Sequence, residues 1–141
     1  MEIKPYLNFD GRCDEAIEYY KEILGAELQF RMLFADSPPE SCSGKNSQVI
    51  PEKVMHAELK IGDAKLMMSD CFAKGNPTFQ GITLSLAVED EQAAREKFEL
   101  LSSEGEITMP LAPTFFSSSF GMLVDRFGVA WQVMVPTPVR A

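Results

Sequence analysis

The sequence predicts an α+β chain built from two βαβββ modules, and an internal repeat, the chain length and the order of elements carry that prediction. YLNFDGRCDEAIEYYKEILGAE in the first half and LSLAVEDEQAAREKFELLSSEGE in the second repeat one pattern of strand, cap, amphipathic helix and glycine stop. An offset of 78 positions lays Ala16 on Ala94, Glu18 on Glu96 and Tyr20 on Phe98. At 141 residues and 45% apolar composition, the chain is long enough for one well-buried domain and too short for two ordinary independent ones. Residues 1–70 are therefore expected to form the first module, 71–81 a linker and 82–136 the second module of a single domain with a shared core.

Ile3 to Phe9 alternates like a strand. Asp10 offers an N-cap, Asp14 and Glu15 suit the positive end of a helix, and Cys13, Ala16, Ile17, Tyr20, Ile23 and Leu24 form an apolar stripe that Gly25 ends. Leu28 to Phe34 reads as a second strand. The stretch from Ala35 to Lys53, rich in Ser, Pro and charge, reads as an exposed loop, a lid or an arm around a partner. Val54 to Ile61 and Lys65 to Asp70 form a hairpin about Gly62-Asp63.

The second module repeats this order. Ile82 to Val88 is a strand; Asp90 caps a helix with stripe Ala93, Ala94, Phe98 and Leu101, and Gly105 follows its end. Ile107 to Leu111, Ser118 to Val124 and Val129 to Val135 complete the set, the last two joined by Asp125 to Gly128. Pro136 to Pro138 reads as a loose tail.

No window approaches the roughly 20 apolar residues of a membrane span, and no leader pattern opens the chain, so a cytoplasmic location is expected. Cys13, Cys42 and Cys71 are odd in number and widely spaced, which suits neither a disulfide framework nor a paired zinc site. With 21 acidic against 13 basic residues, the net charge of −8 opposes binding to nucleic acid or anionic membrane. No glycine-rich phosphate loop or dinucleotide fingerprint is present.

Four separated motifs, Pro5 to Tyr20, Leu24 to Leu28, His56 to Asp70 and Phe120 to Trp131, occur in an order that resembles the vicinal oxygen chelate superfamily of glyoxalase I, bleomycin resistance proteins, extradiol dioxygenases and fosfomycin resistance proteins. Within it the chain resembles the PhnB-like branch, also labelled 3-demethylubiquinone-9 3-methyltransferase-like. The resemblance implies curved mixed sheets around a cup-shaped pocket (the glyoxalase/bleomycin resistance fold), helices on the convex side, a ligand in the cup, and a homodimer.

Metal-dependent relatives hold a His or Glu on the first and fourth strand of each module. The resemblance carries those positions to Pro5, Met67, Thr83 and Gln132. Proline offers no side-chain donor, methionine is soft, and neutral Thr and Gln oxygens replace neither carboxylate nor imidazole. His56 is the sole histidine, so no two-His-one-carboxylate site forms within one chain. The expectation is no metal and no other cofactor.

His56, Glu58 and Lys60 share one strand face, either as a relay with His56 as acid-base group or, the favoured reading, as a hydrogen-bonded histidine beside a solvated charge pair. Ser117 to Ser119 lack a nucleophile elbow. Met67, Ser69, Thr83, Ser85, Ser118 and Gln132 are the candidate ligand contacts, Asp70 is a further one beside Ser69, and Val129, Trp131 and Val133 are expected under a helix with Ala130, Gln132 and Met134 opposite. Three functions follow in order: a metal-free binder of a small, partly apolar molecule; a lyase-, isomerase- or transferase-like enzyme using His56 or Glu58; and a structural or regulatory dimer with a vestigial cup.

Overall fold

The computed structural model describes residues 1–36, 50–70 and 77–137. The chain divides into two compact units, Met1–Thr78 and Phe79–Ala141. The expected linker straddles that division, and residues 71–76 of it lie outside the described residues.

The first unit holds β1 (Tyr6–Asn8), α1 (Cys13–Leu24), β2 (Glu27–Leu33), a 3-10 turn (Phe34–Asp36), β3 (Val54–Ile61) and β4 (Ala64–Ser69). Its strands form one sheet in the order β1-β4-β3-β2, with β1 parallel to β4 and the other pairs antiparallel. The second unit holds β5 (Thr83–Ala87), α2 (Glu91–Ser102), β6 (Glu106–Ala112), β7 (Ser117–Val124) and β8 (Ala130–Pro136) in the matching order β5-β8-β7-β6. The two βαβββ modules are thus present, and the fold is α+β with mixed sheets. Among the described residues, no helix is long and apolar enough to cross a membrane.

One helix covers one face of each sheet. α1 packs on β2 and β3. It buries Ile17, Tyr20 and Ile23, and the sheet buries Leu7, Leu59 and Met68. Tyr19 is buried as well, whereas Leu24, expected in the stripe, is half-buried. α2 packs on β6, β7 and β8, burying Phe98 and Leu101, while Leu123, Trp131 and Val133 are buried in the sheet strands. Cys13 is fully buried, and desolvation, with Asp70 and Asp14 nearby, pushes its thiol pKa up, as suits a small core residue rather than a reactive one.

Several ends differ from the sequence reading. β1 is shorter than expected because Pro5 accepts from the Met67 N–H at 3.0 Å but has no N–H to donate. Asp10 is not the cap of α1: it takes φ 50°, and the N-cap residue, Arg12, makes no side-chain cap bond. Asp70 replaces it from the end of β4, its Oδ1 accepting from the N–H groups of Gly11 at 2.9 Å and Cys13 at 2.7 Å, and its Oδ2 from Val54 at 2.9 Å. Gly25 ends α1 in the left-handed conformation.

Asp90 caps α2 as expected, accepting from Ala93 N–H at 2.8 Å. Gly105 is not the left-handed stop of α2; Glu104 takes φ 63° instead, and Gly105 is needed because a Cβ there would meet the Val124 carbonyl oxygen. The tail is tied at Thr137, which donates to the Phe116 carbonyl at 2.5 Å. Residues 37–49 of the long loop and 138–141 of the tail lie outside the described residues.

Candidate functional site

Strand alternation sorts each sheet into a helix-covered face and an open face. In the first unit, Leu7, Ala57, Leu59, Leu66 and Met68 are buried, and Tyr6, Glu58 and Met67 take the opposite phase. Register places Tyr6 beside Met67, Met67 beside Glu58 and Glu58 beside Phe30, with His56 beside Met32 in the next row. Two side-chain bonds reach over β4 to β3, one from β1 and one from Lys4 just before it. Tyr6 Oη lies 3.0 Å from His56 Nδ1, and Lys4 Nζ donates to Glu58 Oε1 at 3.0 Å. The Tyr6 and Phe30 rings flank the imidazole at centroid distances of 5.5 and 5.7 Å.

His56 and Glu58 thus share a face but take separate partners. The bond from Lys4 holds the Glu58 carboxyl below the usual carboxylate range, and the same bond raises the Lys4 ammonium above its ordinary value. Lys4, Tyr6 and Phe30 are the residues that sequence reasoning missed. The signal was available for two of them: with Leu7 and Phe9 buried, alternation puts Lys4, Tyr6 and Asn8 on the other face.

In the second unit, Val129, Trp131 and Val133 are buried and Ala130, Gln132 and Met134 are half-buried on the opposite phase. Register pairs Thr83 with Ala130 and Ser85 with Gln132, and it sets Gln132 beside Met122. Gln132 Nε2 donates to Ser85 Oγ at 2.9 Å, and Ser85 Oγ lies 3.9 Å from Met134 Sδ. Thr83, Ser85 and Gln132 therefore share one neutral polar face.

Ser118 is exposed at the bulged start of β7. Its neighbour Ser117 is buried and stitches that bulge, its Oγ donating toward the carbonyls of Ser119 and Val135 at 2.8 Å each. Ser69 is also buried, with its hydroxyl donating to the Val54 carbonyl at 3.4 Å. Asp70 is 1% exposed and committed to three backbone N–H groups, so it lines no open surface. An open cleft of about 280 Å³ lies apart from His56, between Glu2 to Pro5 and Asp63 to Lys65.

The repeat itself has two spacings. Cys13 and Glu91, the first helical residues, are 78 apart; Phe9 and Val88, which donate the last parallel bonds to Ser69 and Met134, are 79 apart. The first link carries one extra residue, absorbed where Asp10 and Gly11 take positive φ. On the strands, Thr83 therefore corresponds to Lys4 and Ser85 to Tyr6, while Met67 corresponds to Gln132. Pro5 falls on the helix-side phase and not on the open face. Among the described residues, no group of three or more His, Cys, Asp or Glu is placed to hold a metal ion.

A family model described as 3-demethylubiquinone-9 3-methyltransferase matches residues 1–134. The chain belongs to this PhnB-like family. A curated relative, Protein YjdN of Escherichia coli (strain K12), is 34% identical over 141 residues, covering 96% of this chain and 95% of its own. The crystal structure of protein PA1353 from Pseudomonas aeruginosa is 38% identical with TM-score 0.81, covering 98% of this chain and 99% of that one. A putative 3-demethylubiquinone-9 3-methyltransferase, PhnB protein, from Bacillus cereus is 27% identical with TM-score 0.78, covering 96% and 99%. A glyoxylase/bleomycin resistance protein/dioxygenase domain from Frankia sp. EAN1pec, 17% identical with TM-score 0.62 over 96% and 95%, shares the fold. This family member thus has the glyoxalase/bleomycin resistance architecture.

Proposed function

We propose that this PhnB-like protein is a metal-free, homodimeric binder of a small, partly apolar molecule, which it takes on the open sheet faces. The observation that carries the reading is the composition of those faces. In the first unit, Tyr6 is 48% and Phe30 43% exposed beside a half-buried His56. In the second unit, Thr83, Ser85 and Gln132 stand among Met122 and Met134. Apolar walls with few polar anchors are what a small-molecule surface requires.

The donor set does not fit a divalent metal. Lys4 just before the first strand, and Tyr6, Met67, Thr83, Ser85 and Gln132 on the first and fourth strands of the two modules, supply no imidazole and no carboxylate. The family description speaks of methyl transfer, but the sequence has no glycine-rich cofactor loop followed by an acidic ribose ligand.

A reaction using His56 as acid-base group is the second reading, and the Tyr6–His56 bond is what favours it. Glu58 suits that role less, because Lys4 stabilises its charged form and makes it a weaker base. Native mass spectrometry and metal analysis of protein taken directly from cells test the first reading. A retained organic ligand on a dimer without stoichiometric metal is the expected outcome; nickel, zinc or iron at full occupancy would overturn it.

A further inference from the structure

We infer that the open face of the first unit holds its ligand by a neutral carbonyl oxygen, with His56 Nε2–H as donor and Tyr6 as the residue that fixes the position of that proton. The inference rests on the reading of this face as a ligand surface. Its starting point is the 3.0 Å separation of Tyr6 Oη and His56 Nδ1. A neutral imidazole has one N–H and one lone pair, and a phenol is a better donor than acceptor. The Tyr6 hydroxyl therefore donates to Nδ1, and the ring proton resides on Nε2. Among the described residues His56 makes no other hydrogen bond, so none of them takes up Nε2–H, and a ligand carbonyl is the acceptor inferred for it.

The surroundings define which acceptor. The Tyr6 and Phe30 rings, tilted 32° and 48° to the imidazole, offer flat apolar surface on either side of it. Lys4, whose partner Glu58 shares this face, is bound to Glu58 at 3.0 Å and to Glu2 at 3.4 Å, so it has little to offer a carboxylate or phosphate. Lys60, four residues along β3 and roughly 13 Å away at strand rise, faces Lys65 on one side and Glu27 on the other. A hydrogen-bond donor between aromatic walls, with no unpaired charge beside it among the described residues, selects a ketone or amide carbonyl on a partly apolar body.

The sole histidine makes the test direct, because the ring nitrogen signals of labelled protein belong to His56 alone. With the imidazole neutral, the wild type is expected to show a protonated Nε2 and an unprotonated Nδ1, and Tyr6→Phe to shift toward the mixed tautomers of a free imidazole. Acetophenone is expected to shift Nε2 and to bind about fivefold more weakly to Tyr6→Phe, the loss of roughly one neutral hydrogen bond's worth of positioning. An Nδ1–H tautomer in the wild type would overturn the inference. So would ethylbenzene, which lacks the oxygen, or benzoate, which is charged, binding as tightly as acetophenone. If acetophenone moves Tyr6 and Phe30 signals but neither His56 nitrogen, the ligand-surface reading stands and this inference fails. If none of these probes moves a residue of either open face, both fail.

Discussion

The two units share their frame and differ in what that frame presents. Both sheets have the same strand order, both helices have 12 residues, and both bury an aromatic side chain at the matched positions Tyr20 and Phe98. The open face of the first unit carries charge and aromatic rings joined in pairs, Lys4 with Glu58 and Tyr6 with His56. That of the second carries a neutral Gln132–Ser85 pair among methionines. Helix-side positions are constrained by packing, where a change of one methylene is felt, whereas the open faces diverge. The polar contacts of the first unit's face are directional, and the methionine surface of the second unit's face is adaptable.

The buried carboxylates differ in the same spirit. Asp70 ties α1 and β3 to the end of β4, while Asp125 accepts from Phe127 and Val129 N–H and from Trp131 Nε1, holding the β7–β8 turn. Asp70→Ala strands two buried donors and one part-buried donor and should cost about 3 kcal/mol in denaturant unfolding. A loss below that of an exposed cap would show that the long-range capping is incidental. Gly121→Ala comes next, at about 2 kcal/mol, since its Cβ would sit 2.6 Å from Phe98 Cε2 and 3.0 Å from Leu111 Cα. The matched residue of the first unit is already Ala57, fully buried, so Ala57→Gly should cost less, about 1 kcal/mol. Equal costs would mean that the two helix seats are not shaped differently.

Asp90→Ala, which removes an exposed local cap, should lower stability by about 1 kcal/mol, a third of the Asp70 effect. The smallest effect concerns pH. Lys4 lowers the Glu58 pKa, so the pair stabilises the fold above the ordinary carboxylate range and that contribution fades as pH falls through the lowered value. Lys4→Met should therefore raise the Glu58 midpoint toward the ordinary range in a carboxyl carbon NMR titration. An unchanged midpoint would remove Lys4 as its cause.

Local signals were legible and long-range ones were not. β3 runs from Val54 to Ile61 as the alternation predicts, and Asp90 caps α2 because the cap and its helix are neighbours in sequence. Asp70 caps α1 from 57 residues away, and Tyr6 meets His56 from 50 residues away, so neither pairing has a local signature. The ligand position that the resemblance carries to Pro5 agrees with the helix offset of 78, which pairs Pro5 with Thr83, whereas the strands repeat at 79 and pair Thr83 with Lys4. One extra residue in a link inverts the side-chain phase of a strand.

The most direct test of ligand binding on the open faces is a crystal structure of protein taken from cells without added ligand. Organic density contacting His56 or Gln132 is the predicted result. Density confined to the cleft between Glu2 to Pro5 and Asp63 to Lys65, or a metal ion held by protein side chains, would contradict it.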